Sequence, residues 1–183
     1  TSLPNLTDGN AVAFRGELVA QLAGPLAPGQ VAQDGAADAA PPIGVVEAIT
    51  GEVIAIRADG TEVTLSLGDS VYLDDIIETD LDGSVGIQFL DETTIALGGN
   101  GELVLDEYVY DASNISASNA NLSLVSGALS FVSGRIAKGG DDNMTVETPV
   151  ATIGIRGTKF FVSFDPVSGQ ITVFNRPEIT PSG

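Results

Sequence analysis

Short apolar runs with a period of two residues are the feature that most constrains how this chain folds. In residues 62–67 (EVTLSL) every second residue is Val or Leu, and the residues between them are polar. In residues 84–90 (SVGIQFL) Val, Ile and Phe alternate in the same way. Successive side chains of a strand point to opposite sides, so this pattern is typical of strands with one buried face. No stretch of ten or more residues has the period of an amphipathic helix, and the chain is predicted to be all-β.

Turn signals between these runs divide the chain into strands. Asp59-Gly60 is typical of a type I′ turn and predicts a hairpin between residues 51–57 and 62–67. Ser126-Gly127 predicts a second turn, and residues 166–169 (PVSG) predict a third. The remaining predicted strands are 93–97, 102–105, 120–125, 128–132, 144–147, 158–164 and 170–174.

Two architectures are compatible with this strand pattern. Strands close in sequence are expected to pair, and residues 113–120, which lack a strand pattern, are expected to form a loop. The predicted fold is a single all-β domain of about ten short antiparallel strands, either a β-sandwich or a flattened β-solenoid. Glycines that precede apolar runs hint at stacked rungs of a solenoid, although their spacing is irregular. They are Gly51, Gly83, Gly101, Gly127 and Gly134.

Composition separates the amino-terminal part of the chain from the β domain. Residues 22–42 are mostly Ala, Gly, Pro, Gln and Asp, which cannot bury enough apolar surface to offset their ordering entropy. We therefore expect an Ala/Pro/Gly-rich extension or linker at 1–42, a β domain at 43–175 and a tail at 176–183. Within the extension, residues 11–22 (AVAFRGELVAQL) fit either a short strand or a helical turn.

The side chains that the chain lacks exclude several classes of function. With no His and no Cys, it has no His-based nucleophile system, disulfide, zinc ribbon or iron–sulfur cluster. Its 7 basic and 25 acidic residues give a net charge of 7 − 25 = −18, which argues against nucleic acid as a partner. No apolar run reaches the roughly 18 residues that span a bilayer, so direct membrane insertion is not expected. We predict no enzymatic activity.

Clustered carboxylates are the candidate for metal binding. Loop oxygens of this kind are the ligands that Ca²⁺ prefers. The clusters match neither an EF-hand loop nor the Gly/Asp-rich nonapeptide of a β-roll, and the competing interpretation is a solvated acidic face that keeps the protein soluble. The predicted ligands of a weak calcium site are Asp74, Asp75, Asp80, Asp82, Asp141 and Asp142.

An arginine between two glycines marks a second candidate site near the carboxyl end. Glycine amides and one guanidinium are groups that can bind an anion, so an anion site is one interpretation. The segment neither follows the pattern of a P-loop nor opens a helix, so a structural turn whose arginine pairs with a carboxylate is the favoured interpretation. The residues of this predicted turn are Thr148, Pro149, Gly154, Arg156, Gly157 and Thr158.

Several of these motifs together resemble the FecR domain. The resemblance covers residues 44–111 and 122–164, roughly two thirds of the chain. Its most specific part is the closing motif around Gly154-Ile155-Arg156-Gly157-Thr158. The motifs are Gly51-x-Val53, Leu67-Gly68-Asp69-x-Val71-Tyr72-x-Asp74-Asp75-Ile76-Ile77-x-Thr79, Gly83-Ser84-Val85-x-Ile87-x-Phe89-x-Asp91, Thr94-Ile95-x-Leu97 and Val146-x-Thr148-Pro149-x-Ala151-x-Ile153-Gly154-Ile155-Arg156-Gly157-Thr158-x-Phe160.

The resemblance implies a non-catalytic β domain at the surface or in the periplasm of Gram-negative bacteria, with Arg156 in a structural role. One setting of the family is the amino-terminal region of large secreted, calcium-binding adhesins. The acidity and the Ala/Pro-rich leader favour this setting, and we expect an extracellular or surface module that self-associates or contacts further domains of its own chain. The alternative is a periplasmic sensor domain of a FecR-type signalling protein.

Overall fold

Strands make up most of the part of the chain that the structure describes. The computed structural model describes residues 40–140, 142–155 and 159–175. Thirteen strands and two turns of 3₁₀ helix (Ile115–Ala117 and Ile136–Lys138) form its regular structure, which confirms the all-β prediction. None of the helices in these ranges is long and apolar enough to cross a membrane. The strands are β1 (Gly44–Thr50), β2 (Val53–Ile56), β3 (Glu62–Thr64), β4 (Ser70–Val71), β5 (Ile76–Thr79), β6 (Ser84–Phe89), β7 (Thr94–Leu97), β8 (Glu102–Val109), β9 (Asn119–Val132), β10 (Met144–Thr148), β11 (Ala151–Gly154), β12 (Lys159–Asp165) and β13 (Gln170–Asn175).

The predicted division of the chain is only partly within these ranges. Of the extension at 1–42, the structure describes Ala40, Pro41 and Pro42, which have no regular structure and precede β1. The strand or helical turn predicted at 11–22 and the tail at 176–183 lie outside the described residues. These boundaries stay predictions.

Two halves of one continuous sheet share their central strand. Sheet 1 has the order β4-β1-β6-β7-β9-β12-β13, and sheet 2 has the order β3-β2-β5-β8-β9-β10-β11. The first part of β9 pairs with β8 and β10 in sheet 2. Residues 127–132 of the same strand pair with β7 and β12 in sheet 1. Every pairing of the described strands is antiparallel except that of β9 with β10.

Both sheets cover one apolar core. In β6 the alternation predicted from the sequence is confirmed, because Val85, Ile87 and Phe89 are at most 3% exposed and the residues between them are half-buried. Sheet 2 contributes the buried face of β2 in the same way. The arrangement is a β-sandwich, one of the two predicted architectures, with its layers joined through β9. Other fully buried core residues are Ile77, Ile95, Leu97, Leu103, Leu105, Leu122, Leu124, Leu129 and Phe131.

The turn predicted at Ser126-Gly127 is wrong, because the chain continues there as a single 14-residue strand. The site is instead where β9 passes from sheet 2 to sheet 1. Gly127 has a φ of +91°, and the pairing with β8 shifts register between Glu102 and Leu103. A bulge within a strand needs the same glycine conformation as a turn, so the local sequence alone does not separate the two. A Cβ at Gly127 would lie 2.6 Å from the Cα of Gly101.

The predicted hairpin between β2 and β3 forms, but with a different turn. The backbone N–H of Gly60 donates to the carbonyl of Arg57 at 2.8 Å, and the N–H of Arg57 donates to the carbonyl of Thr61 at 2.8 Å. Gly60 has a φ of +84°, whereas Asp59 does not have the positive φ that a type I′ turn requires. The geometry is a three-residue loop with a glycine bulge, in which only Gly60 leaves the usual backbone region.

Ten strands are predicted and thirteen are described, because the predicted strands 120–125 and 128–132 are one strand, β9, and four described strands are not among those predicted, namely β1, β4, β5 and β11. β4, β5 and β11 have two to four residues each, too few for a period of two to be recognised. The loop predicted at 113–120 contains the 3₁₀ turn Ile115–Ala117, and β9 begins before its end, at Asn119. Leu67, predicted to share the buried face of its strand, lies beyond β3 and is 66% exposed.

The crossing of β9 predicts that Gly127 tolerates no side chain. Gly127→Ala combines a positive φ with a Cβ that meets the backbone of Gly101, and we expect the free energy of unfolding to fall by about 2–4 kcal/mol. Urea unfolding at neutral pH measures the loss.

Gly60→Ala is the matched control for this variant. Gly60 also has a positive φ, but a Cβ there would meet nothing within 4 Å. Only the backbone strain of about 1–2 kcal/mol should therefore appear. Equal losses in the two variants would mean that the close approach of Gly127 to Gly101 contributes nothing to stability.

Candidate functional site

The structure does not gather the predicted calcium ligands into one cluster. Asp74 and Asp75 precede β5, whereas Asp80 and Asp82 follow it, so a four-residue strand of about 13 Å separates the two pairs. Asp142 precedes β10, and Asp141 lies outside the described residues. Within the described ranges no three acidic side chains are arranged to hold a metal ion. Calcium binding stays a prediction.

Asp75 is a buried ion-pair partner rather than a loop ligand. The residue is 0% exposed, and Oδ2 accepts hydrogen bonds from Nη1 of Arg57 and from the backbone N–H of Tyr72, the latter at 2.8 Å. Arg57 also donates to the carbonyl of Ser70 at 3.3 Å, and its guanidinium lies 4.8 Å from the centre of the Tyr72 ring. The group therefore fastens the end of β2 to β4 and to the loop before β5.

The second oxygen of Asp75 has a different environment. Oδ1 is buried and accepts no hydrogen bond from the described residues. Burial raises the pKa of Asp75 above its usual value, and the hydrogen bond from Tyr72 and the charge of Arg57 only partly oppose this effect. The carboxylate is thus held in the fold at a cost in desolvation that its partners reduce but do not remove.

Asp91 forms a second buried centre that the sequence reasoning missed except as part of a motif. Its oxygens accept from the hydroxyl of Thr93 at 2.7 Å, from the hydroxyl of Tyr108 at 3.1 Å and from the backbone N–H of Ile136 at 3.1 Å. Burial, followed by the nearby charge of Asp91, raises the pKa of Tyr108. The Asp-x-Thr spacing in a turn between two apolar runs was the available signal, since such side chains bond to nearby backbone. The centre ties the β6–β7 turn to β8 and to the 3₁₀ turn Ile136–Lys138.

The predicted turn near the carboxyl end is described only in part. Thr148 pairs with Ala151 at the end of the β10–β11 hairpin, and its hydroxyl exchanges hydrogen bonds with the backbone of Ala151 at 2.9 and 3.0 Å. Pro149 lies in the turn between them, and Gly154 ends β11. The remaining turn residues, Arg156, Gly157 and Thr158, lie outside the described residues. The structural role of Arg156 stays a prediction.

The open edge of β13 is the longest strand edge that the described residues leave unpaired. β13 has six residues and pairs only with β12, whereas the other terminal strands, β3, β4 and β11, have two to four residues. Its sequence, QITVFN, contains no charged side chain. Val173 and Phe174 on this strand are 46% and 62% exposed. Such an edge presents unpaired backbone N–H and C=O groups, with which a strand of another chain can pair.

A shallow groove of about 500 Å³ lies beside this edge on the outer face of sheet 1. Phe161 of β12 and Phe174 of β13 stand side by side, with ring centres 6.1 Å apart. Val132 at the end of β9 is 40% exposed, and Lys159 at the start of β12 supplies a positive charge. Apolar side chains and one cation thus border the open backbone. The arrangement can hold an extended polypeptide.

The environment of Asp75 predicts a particular pH dependence of stability. The pKa of Asp75 is raised above 3.8 in the fold. At a pH between 3.8 and this raised pKa, the folded chain therefore binds more protons than the unfolded chain. The stability that this group contributes is therefore fully present below pH 3.8 and falls as the pH rises through the raised pKa. Relative to Asp75→Asn, the unmodified chain should gain stability as the pH is lowered from about 7 to about 4, measured by urea unfolding at each pH.

Asp59→Asn is the control of opposite sign. The backbone N–H of Thr61 donates to Asp59 at 2.9 Å and lowers the pKa of that carboxyl. Its contribution is fully present above pH 3.8 and falls as the pH drops below 3.8 through the lowered pKa, so the unmodified chain should lose stability relative to Asp59→Asn only below about pH 4 and show little difference between about pH 7 and about pH 4. Responses of the same sign in both variants would contradict the assignment of Asp75.

The calcium prediction has a direct thermal test. A ligand that binds only the folded chain raises its Tm, so about 5 mM Ca²⁺ should raise the Tm and a chelator should reverse the rise. Mg²⁺ at the same concentration is the control, because it demands a tighter octahedral site. An unchanged Tm in Ca²⁺ would remove the predicted site.

Comparison with known proteins places this geometry in a family. A family model described as FecR protein matches residues 75–175, more than half of the chain. No curated protein matches the sequence. A solved structure described as a cell surface anchoring domain is 32% identical, over 34% of this chain and 82% of that chain, with a TM-score of 0.33. The chain belongs to the FecR family.

Proposed function

We propose that this chain is a non-catalytic interaction module of a secreted or surface-assembled bacterial protein. The observation that carries the proposal is the open, uncharged edge of β13 beside the apolar groove of sheet 1. Backbone groups along the edge supply hydrogen bonds to an added strand, and the groove takes up alternate side chains of that strand. The partners of the module are therefore proteins.

The buried carboxylates support a structural rather than a catalytic use of the charged residues. Both oxygens of Asp91 and one oxygen of Asp75 accept hydrogen bonds from the fold itself. These bonds join strands that are distant in sequence, as expected for groups that hold the sandwich together. An acid or base in catalysis must instead reach a proton on a substrate.

Family membership supports a place outside the cytoplasm. FecR domains resemble this chain in their strand motifs, and that resemblance implies the cell surface or the periplasm. We propose the surface or the medium, because a net charge of −18 keeps an exposed module soluble. The alternative is a periplasmic sensor domain. The identity of the protein that binds at the β13 edge distinguishes this sensor from a surface module.

Site-specific photo-crosslinking in the producing cells tests the proposal. A photoreactive amino acid in place of Phe174 should form a covalent adduct with a protein, because this exposed side chain lies at the proposed contact. The same amino acid in place of Val167 is the control, since Val167 is 95% exposed in the turn of the same hairpin but lies away from the edge.

The identity of the adduct decides between the forms of the proposal. A surface protein or a second copy supports the interaction module, and a periplasmic or inner-membrane signalling protein supports the sensor. Adducts of equal yield at both positions, or none at Phe174, would overturn the proposed use of this edge.

A further inference from the structure

Opposite charges mark the two ends of the β12–β13 hairpin. Lys159 begins β12 beside the last residues of β13, and Asp165 ends β12 beside the first. Both side chains are exposed and both alternate with the buried Val162 and Phe164, so they share the outer face of sheet 1. Between these two ends, the edge strand β13 contains no charged side chain.

Asp165 is fixed as an anion at its end. Its carboxylate accepts from the hydroxyl of Ser168 at 2.7 Å and from the backbone N–H of Val167 at 2.9 Å. These hydrogen bonds lower the pKa of Asp165. The charge is therefore present at neutral pH and held in one place.

A second copy of the chain matches this distribution. If β13 pairs with itself antiparallel, the Lys159 end of one copy and the Asp165 end of the other lie at the same end of the joined sheet, and this happens twice. Both β13 strands lie between the two charges, which are therefore about 14 Å apart and attract only at long range. The exposed Val173 and Phe174 of each copy lie near the middle of the paired strands, Val173 on the core-side face of the sheet and Phe174 on its outer face. A contact in which both copies use the same patch is the usual form of a two-fold dimer.

We propose that two copies associate through antiparallel pairing of β13, which joins sheet 1 of one copy to sheet 1 of the other. This rests on the interaction function proposed above and names the partner. The rest of the acidic surface opposes the contact, because two chains of charge −18 repel one another. The dimer is therefore strengthened by salt, because screening over a Debye length of about 10 Å at 0.1 M reduces the repulsion of the two acidic surfaces more than it reduces the two attractions between Lys159 and Asp165.

The pairing also restricts the register. Residues directly opposite in an antiparallel pair lie on the same face of the sheet, whereas neighbours in sequence lie on opposite faces. The two-fold axis must therefore place one residue opposite the same residue of the other copy, and cannot lie between two neighbouring residues. For maximal overlap of the six-residue strand, that residue is Thr172 or Val173. Its Cα atoms would be about 5 Å apart, within the range of a disulfide, whereas the neighbouring residue would be out of reach of its own copy.

Cysteine cross-linking tests the contact, because the natural chain contains no Cys. Thr172→Cys and Val173→Cys are compared in the full chain under mild oxidation, with Val167→Cys in the hairpin turn as the control. We expect one of the two strand variants to form a disulfide dimer at least tenfold faster than both the other variant and the control. Equal rates at all three positions would overturn the proposal.

Sedimentation of variants without cysteine gives an independent measurement. The unmodified chain should shift toward a dimer between about 0.05 M and about 0.5 M NaCl. Phe174→Glu should weaken the dimer at least tenfold, because it puts a negative charge on each copy within two residues of the two-fold axis. Val167→Glu adds the same charge to the same hairpin and should leave the dimer unchanged. A chain that is monomeric at every salt concentration would overturn the dimer.

Failure of the dimer and failure of the interaction function give different results. A monomer whose photo-crosslinker at position 174 still captures a different protein overturns self-association and leaves the interaction module standing. A monomer without any adduct at position 174 overturns both.

Discussion

The passage of one strand through both layers is the constraint on which the rest of this structure depends. β9 pairs with four strands, β8 and β10 in sheet 2 and β7 and β12 in sheet 1. The crossing requires a backbone conformation that only glycine adopts easily, at Gly127, and the backbone of Gly101 lies close enough to exclude a side chain there. A similar approach occurs between Gly51 and Gly83, where a Cβ on the first would lie 2.9 Å from the Cα of the second. Four of the five glycines that precede apolar runs thus meet in two close backbone approaches, Gly51 with Gly83 and Gly101 with Gly127.

Two buried aspartates fasten the loops between these layers, and they do so at different cost. The oxygens of Asp91 accept bonds from two hydroxyls and from backbone, so its burial is well compensated. Asp75 has a guanidinium partner but one oxygen without a hydrogen bond. Removing one partner of a buried ion pair costs about 3–5 kcal/mol, because the other charge is left without compensation. Arg57 therefore matters for the fold mainly because Asp75 is there.

The buried faces of the longer strands and the family could be predicted from the sequence. The contacts between residues distant in sequence could not. The alternation of apolar residues predicted β6 correctly, because side chains of a strand are buried with a period of two and a run of six residues is long enough to show that period. Ser126-Gly127 was mistaken for a turn because the partner that makes it a bulge, Gly101, lies 26 residues earlier. The pairing of Arg57 with Asp75 cannot be predicted for the same reason, because 18 residues separate them, and only its neighbours in sequence place Asp75 among the predicted calcium ligands. The open edge of β13 could not be predicted at all, since which strand ends a sheet depends on the complete order of strands.

The two carboxyl-terminal hairpins are attached to the rest of the sandwich in a way that affects how it responds to force. The β10–β11 hairpin is held in sheet 2 through β10, and the β12–β13 hairpin is held in sheet 1 through β12. In both cases the strand that receives the hairpin is β9. Tension applied at the carboxyl end of β13 acts first on the pairing of β13 with β12, because β13 has no other partner among the described strands. Strands β1 to β9 pair among themselves without either hairpin, so separating β12 from β9 leaves those pairings in place.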